Sequence, residues 1–350
     1  MSLEVLNSPP LVGTLTAGCY GLLPFVAKHP MLVQGSAAAL PFVAVKGLNA
    51  FSYGLGFVST SRPGRYDGAA AVTEADGVRK GVAKDDAAFK GMEQMSTSRG
   101  RTLVPPAPWA FIIWAPIFLG ELFMVTVPFV TKVSAAAESV LRETSGPFAL
   151  AQIFTALWTA SFRPRYGSRG GIYNYVSVLG LGGIAASLSV CHKAFANNKA
   201  GSALSGLEYA LYCLPLSLHF GWTTAATLVN LNGMFALTND NSESKATAEE
   251  KAATARSVAL LGHASVILAT AIGVSVTWTR KAPVYGGVIC WALTAVASGL
   301  KKRIEASASS NKKARANTPV GVYGVERQRL LSIAGAIVCA AAVGAVVLLE

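Results

Sequence analysis

The sequence predicts an all-α fold, a polytopic transmembrane helical bundle of about seven to nine spans. Three observations predict it. Hydrophobic residues make up 52% of the chain and mean hydropathy is +0.44. Charged residues make up only 14%, where a soluble domain carries about 25%. The apolar residues also fall into runs of roughly 17–25, the length that 1.5 Å per residue needs to cross about 30 Å of hydrocarbon.

In chain order the runs are 10–27, 31–60, 107–131, 147–162, 173–191, 206–237, 257–279, 283–300 and 330–349. Residues 1–60 form an N-terminal hydrophobic pair. Its second member carries Gln34, Lys46 and Asn49, and the joint at Lys28-His29-Pro30 is tight, so a re-entrant or interfacial pair is the alternative to two full spans. The stretch before Lys28 holds Glu4 and no base, unlike a secretory signal or an Arg-rich transit peptide. Insertion is therefore expected through the chain's own helices, or through a presequence ahead of residue 1. Residues 61–106 mix Gly, Ala, Ser and both charge signs without periodicity and read as an irregular surface linker, with a short helix near 82–95. The membrane core is expected over 107–300. Within it, 206–237 exceeds what a bilayer requires, so it should tilt, protrude or bend near Pro215 or Gly221. Prolines 24, 41, 116, 128 and 215 are tolerated in spans because neighbouring helices satisfy the freed carbonyls. A basic loop, 301–329, leads to a C-terminal transmembrane helix over 330–350.

The net charge of +12 comes from 30 Lys and Arg against 18 Asp and Glu. With nine spans the connecting segments alternate sides, and 22 of the 30 bases fall on one of them: those of 61–106, 163–172, 239–256 and 301–329. Seven fall opposite and Lys46 lies inside a span. Such a split is the positive-inside pattern and places the large loops on the cytosolic, stromal or matrix side. It accounts for the charge without nucleic acid, since no stacking aromatics interleave with these bases. The membrane is then the cell membrane or that of a plastid or mitochondrion.

The five cysteines are scattered, with no CxxC and no Cys/His pair at metal spacing, so neither a disulfide framework nor a dedicated metal site is expected. No GxSxG, HExxH, Walker loop or His-box cluster is present, and the chain is more readily a non-enzyme. The Gly-rich run at 180–187 lies in a span, where small residues permit close helix packing. What remains are tryptophans and intramembrane ionisable groups. Trp109 and Trp278 sit near span ends, as in an aromatic belt. Trp114, Trp158 and Trp222 sit deeper, where an indole N–H needs a partner or a ligand. Glu121 and His219 lie midway along their spans, where ionisable residues are costly. Two readings stay open: a structural hydrogen bond between helices, or a cavity lining in which His219 orients a ligand or ligates a metallated tetrapyrrole.

The stretch Pro106-Ala107-Pro108-Trp109-Ala110-Phe111-Ile112-Ile113-Trp114-Ala115-Pro116-Ile117-Phe118-Leu119-Gly120 resembles a PAGYAFSIWGLIYLG signature. It belongs to the longer branch of the TspO/MBR superfamily, the translocator or tryptophan-rich sensory proteins. Residues 214–227, Leu-Pro-Leu-Ser-Leu-His-Phe-Gly-Trp-Thr-Thr-Ala-Ala-Thr, resemble that branch's PFSLYLGWxxxAT helix, and Val288–Leu293 its VxWAL helix. Gln152 and Trp158 are similar to the Q and W of its third core helix. His219 stands where Tyr is usual, and Pro108 where the branch has Gly. If 31–60 is the family's first helix, a five-helix core runs to about 237. The resemblance, over about 105–300, implies a cavity that binds a porphyrin, sterol or similar flat apolar molecule in transport or sensing. On it Trp114, Glu121, Trp158, His219, Trp222 and Asn230 are the expected ligand-binding residues, and a tetrapyrrole or other pigment or lipid the expected cofactor. Expected partners are membrane lipids, the apolar ligand, and a second copy or other subunits of a membrane complex. An accessory subunit of a photosynthetic or respiratory complex is the alternative function, suited to the small-residue runs at 180–187 and 334–345.

Overall fold

The computed structural model describes residues 8–26, 39–62, 65, 101–163, 171–196, 199–239, 246–309 and 324–349. The helix expected near 82–95 and the joint at 28–30 lie outside them. Among the described residues there is no strand, and nine helices of 17 residues or more make up the fold. They are α1 (Pro9–Val26), α2 (Phe42–Thr60), α3 (Trp114–Val130), α4 (Ala135–Ser161), α5 (Val176–Ala196), α7 (Leu214–Thr238), α8 (Ala248–Thr279), α9 (Pro283–Ser309) and α10 (Val325–Leu349), with a seven-residue α6 (Gly206–Tyr212) before α7. Six stretches are long and apolar enough to cross a membrane: α1, α3 with the 3₁₀ turn ahead of it, α5 with its own 3₁₀ turn, α8, α9 and α10. Their outward side chains, Phe25, Ile112, Val130 and Ile337 among them, are exposed and apolar, as lipid-facing surfaces are.

Four of the boundaries that differ from the sequence reading do so for the physical reasons below. The run 31–60 gives a described helix only from Phe42. Pro41 stands at its N-cap in an extended conformation, a place where a missing N–H costs nothing. The run 147–162 is the second half of α4, which begins at Ala135 behind Ser134, whose hydroxyl accepts from Ala137 N at 3.1 Å. Its first turns are polar yet sheltered: Arg142 is held by Glu138 at 2.7 Å and donates to Leu40 O at 2.9 Å. The run 206–237 divides at Cys213, two residues ahead of Pro215. Ser205 and Glu208 form a capping box that starts α6, and α7 starts afresh with Pro215 in its first turn. Finally, the end of the 61–106 linker is not surface. Leu103 and Val104 are buried, Ala107 N donates to Ala295 O at 2.9 Å, and a Cβ on Gly299 would come within 2.8 Å of Pro105 O. Prolines 105, 106 and 108 carry no amide hydrogen, so this extended segment wedges beside α9 with few donors to satisfy.

Long-range bonds sort the connections into two ends of the bundle. Arg101 meets Ala236, Arg303 meets Thr102 and Asn174 meets Thr238 at one end. At the other, Lys46 meets Pro128, Arg142 meets Leu40 and Arg280 meets Ser189. The nine long helices thus run alternately up and down. Glycines set how closely they approach. Gly180 leaves room for Trp158, whose Cβ would lie 2.9 Å from an added Cβ, and Gly183 for Phe154. The small-residue run at 180–187 is used inside the bundle, between α4 and α5.

Candidate functional site

Between these helices lies a cavity of about 800 Å³. Its walls come from α2 (Phe57), α3 (Trp114, Phe118), α4 (Trp158), α7 (Trp222, Asn230), α8 (Val266) and α9 (Ile289, Leu293), with Pro105, Pro106 and Pro108 alongside. The helix before α3 is a 3₁₀ turn, Pro108–Ile113. Pro116 has no N–H to return to Ile112, so regular α geometry starts only at Trp114, which sets that indole at the cavity wall. Trp114 stacks on Phe118 (centroids 5.1 Å, 15°) and meets Trp222 edge to face at 6.2 Å, while Phe111 meets Trp222 at 5.5 Å. These flat faces at right angles make slots suited to a planar molecule.

Four of the six residues expected from the sequence, Trp114, Trp158, Trp222 and Asn230, line this one cavity. Glu121 and His219 do not. They are buried behind it, at 1% and 2% exposure, with His219 Nδ1 2.6 Å from Glu121 Oε1. Gln152 Nε2 donates to Glu121 Oε2 at 3.2 Å, so each carboxylate oxygen has a partner. The His219 and Trp114 rings meet edge to face with centroids 5.7 Å apart. Gly56 of α2 lies against the Gln152 amide, in the place a Cβ would occupy. The His219–Glu121 contact is the interhelical bond of the first open reading, and it touches the cavity through Trp114.

Asn230 is oriented by a chain of bonds. Ser177 spends its only proton on Asn174 O at 3.1 Å, so it must accept from Asn230 Nδ2 at 3.0 Å. That leaves Asn230 Oδ1 buried without a partner among the described residues, as are the Trp158 and Trp222 indole N–H groups. A buried polar group without a partner costs about 1–3 kcal/mol. Three of them sit on residues lining one cavity. Of the other tryptophans, Trp109 and Trp291 meet edge to face at 4.6 Å, with Trp291 donating to Ala110 O at 3.2 Å. Trp278 is exposed beside Lys281.

The sequence reading missed two charged members of the lining, Arg65 and Arg303. Both lie in segments read as loop or helix end, so they counted only toward topology. No group of three or more His, Cys, Asp or Glu is placed to hold a metal ion among the described residues.

Fold and site define a polytopic helical membrane protein with an aromatic-walled cavity between its helices. Residues 86–310 match the family described as TSPO-like protein, and the chain belongs to that family. The match begins after α2 and runs through α9, past residue 237, leaving α1, α2 and α10 outside. No curated protein and no solved structure matches the chain.

Proposed function

We propose that this integral membrane protein binds a flat, apolar small molecule in the cavity and serves in its transport or sensing, the molecule being a tetrapyrrole, a sterol or a similar pigment or lipid. The observation that carries the reading is the cavity itself: about 800 Å³, walled by Trp114, Trp158 and Trp222, within the range of roughly 300–1,000 Å³ typical of ligand sites. Family membership supports it, and the unpartnered polar atoms on Trp158, Trp222 and Asn230 supply hydrogen bonds that would orient a ligand. His219 and Glu121 act in this reading from behind, holding Trp114 in place. An accessory-subunit role has less behind it, because Gly180 and Gly183 are already used between α4 and α5.

Titration of the purified protein with protoporphyrin IX is expected to quench tryptophan fluorescence saturably, and Trp222→Phe to weaken that binding. Equal titration curves for the wild type and Trp222→Phe would remove the cavity assignment.

A further inference from the structure

The Glu121–His219 pair has room for one more proton. The hydrogen bond between His219 Nδ1 and Glu121 Oε1 uses one, whichever atom holds it. The ring's other nitrogen, Nε2, bonds none of the described residues. Without a proton on Nε2 the pair carries one net negative charge, and with a proton there it is neutral overall. Gln152 donates to the second carboxylate oxygen in either case. Buried ionisable groups of this kind, within a membrane bundle, are the parts from which proton relays are made.

Each member of the pair sits close to the cavity wall. On α3, Trp114, Phe118 and Glu121 are spaced i, i+4 and i+7 and share one face of the helix, and the first two line the cavity. On α7, Trp222 follows His219 by three residues, lines the cavity as well, and meets Trp114 at 6.2 Å. A flat body seated against these two indoles excludes water from beside the pair. Loss of water disfavours a net charge, so seating favours the neutral form.

Other ionisable groups around the pair do not offer the same exchange. Tyr53 of α2 and Cys191 of α5 lie within electrostatic range of Glu121, but a phenol or thiol keeps its proton at and below neutral pH. Lys46 of α2 is tied to Pro128 O, Arg142 of α4 to Glu138, and Glu208 of α6 to Ser205. His192 of α5, Arg280 of α8 and Tyr285 of α9 are set apart by the Phe220 ring, which each of them contacts. Arg65 and Arg303 border the cavity and stay charged throughout.

We infer that ligand binding is proton-linked: a molecule seated between Trp114 and Trp222 draws one proton from water onto His219 Nε2. This rests on the ligand-binding reading above and adds its regulation by pH. Because the bound state holds the extra proton, affinity is highest at acid pH and falls as pH rises.

N-phenyl-1-naphthylamine, a flat apolar probe that does not itself titrate over about pH 5–8, the range in which imidazole changes charge, tests it. Binding to the full chain in nanodiscs of neutral phosphatidylcholine is followed across that range by energy transfer from tryptophan, with empty nanodiscs as the blank. Calorimetry in two buffers of different ionisation enthalpy counts the protons exchanged. The wild type is expected to take up a proton fraction approaching one per probe and to bind about tenfold more tightly at the acid end of the range than at the basic end. Two variants keep a hydrogen-bonding group in place while removing the acid–base pairing. Glu121→Gln leaves a site that is neutral or positive, so seating the probe should expel a proton or move none. His219→Tyr puts there a phenol that does not titrate in the range, and binding should lose its pH dependence. A purely structural pair would alter affinity without altering the proton count. Wild-type binding with no proton uptake anywhere in the range, or uptake that survives in either variant, overturns the inference while the cavity reading stands. If the probe does not bind the wild type at all, both fall together.

Discussion

His219 and Glu121 are the most consequential pair of single residues, because each is almost wholly buried and each is the other's partner. Removing one partner of a buried pair strands the other, at about 3–5 kcal/mol, whereas replacing both by apolar groups of similar volume is close to neutral. His219→Leu and Glu121→Leu are therefore each expected to lower stability in detergent by about 3 kcal/mol, and the double variant to lose far less than the sum. Strictly additive losses in thermal melts would show that the two do not act as a unit. Both residues stood out in the sequence, as ionisable groups halfway along apolar runs, but their meeting did not, because 98 positions separate them. Gln152 surfaced only through the family resemblance. Arg65 and Arg303 stayed hidden because a charge at a helix end looks the same whether it faces water or a cavity.

At the scale of helices, what was legible was the apolar length and what was not was the polar ends. α4 and α8 extend 12 and 9 residues ahead of the apolar runs that announced them. Charged first turns erase the hydropathy signal while caps such as Ser134 and Thr247 keep the helix going. The Gly-rich run of α5 was legible as a packing surface, though its neighbour was not. Gly183→Val is expected to force α4 and α5 apart at Phe154 and lower stability by about 1–3 kcal/mol, the usual cost of overpacking. Gly18→Ala of α1, where no atom lies within 4 Å of the added carbon, serves as the control and should not destabilise. A Gly183→Val protein melting with the wild type would mean that the α4–α5 contact is looser than described.

The up-and-down order of the nine long helices among the described residues puts the C-terminal ends of α2, α4, α7 and α9 at one end of the molecule, and the stretches of sequence that follow them hold most of the bases. In a cysteine-free background, single cysteines at Ser244 and Ser310 are expected to react with a membrane-impermeant maleimide from one side, and a cysteine replacing the exposed Lys132 from the other. Labelling of positions 132 and 310 from the same side would break the alternation and move His219 and Trp222 away from membrane depth. At this scale the sequence made the helical membrane bundle and the family legible, while six helices rather than seven to nine are long and apolar enough to span among the described residues. The way the 101–108 segment folds back into the bundle was not legible, because a proline-rich stretch after a polar linker carries no periodicity to read.

That segment has a consequence for biogenesis. Leu103 lies against Gly262 of α8, and Pro105 and Ala107 against Gly299 and Ala295 of α9, about 160 to 190 residues later in the chain, which at roughly 5–20 residues per second is a wait of about 8–40 s during synthesis. Trp114 is made at the start of that interval and Trp222 partway through it, before the walls supplied by α8 and α9, and the half-built site lies open to lipid. A chain stalled or truncated before α9 would therefore display its indoles to the bilayer and its unmatched Leu103 to quality control, so the cavity is among the last things the ribosome completes.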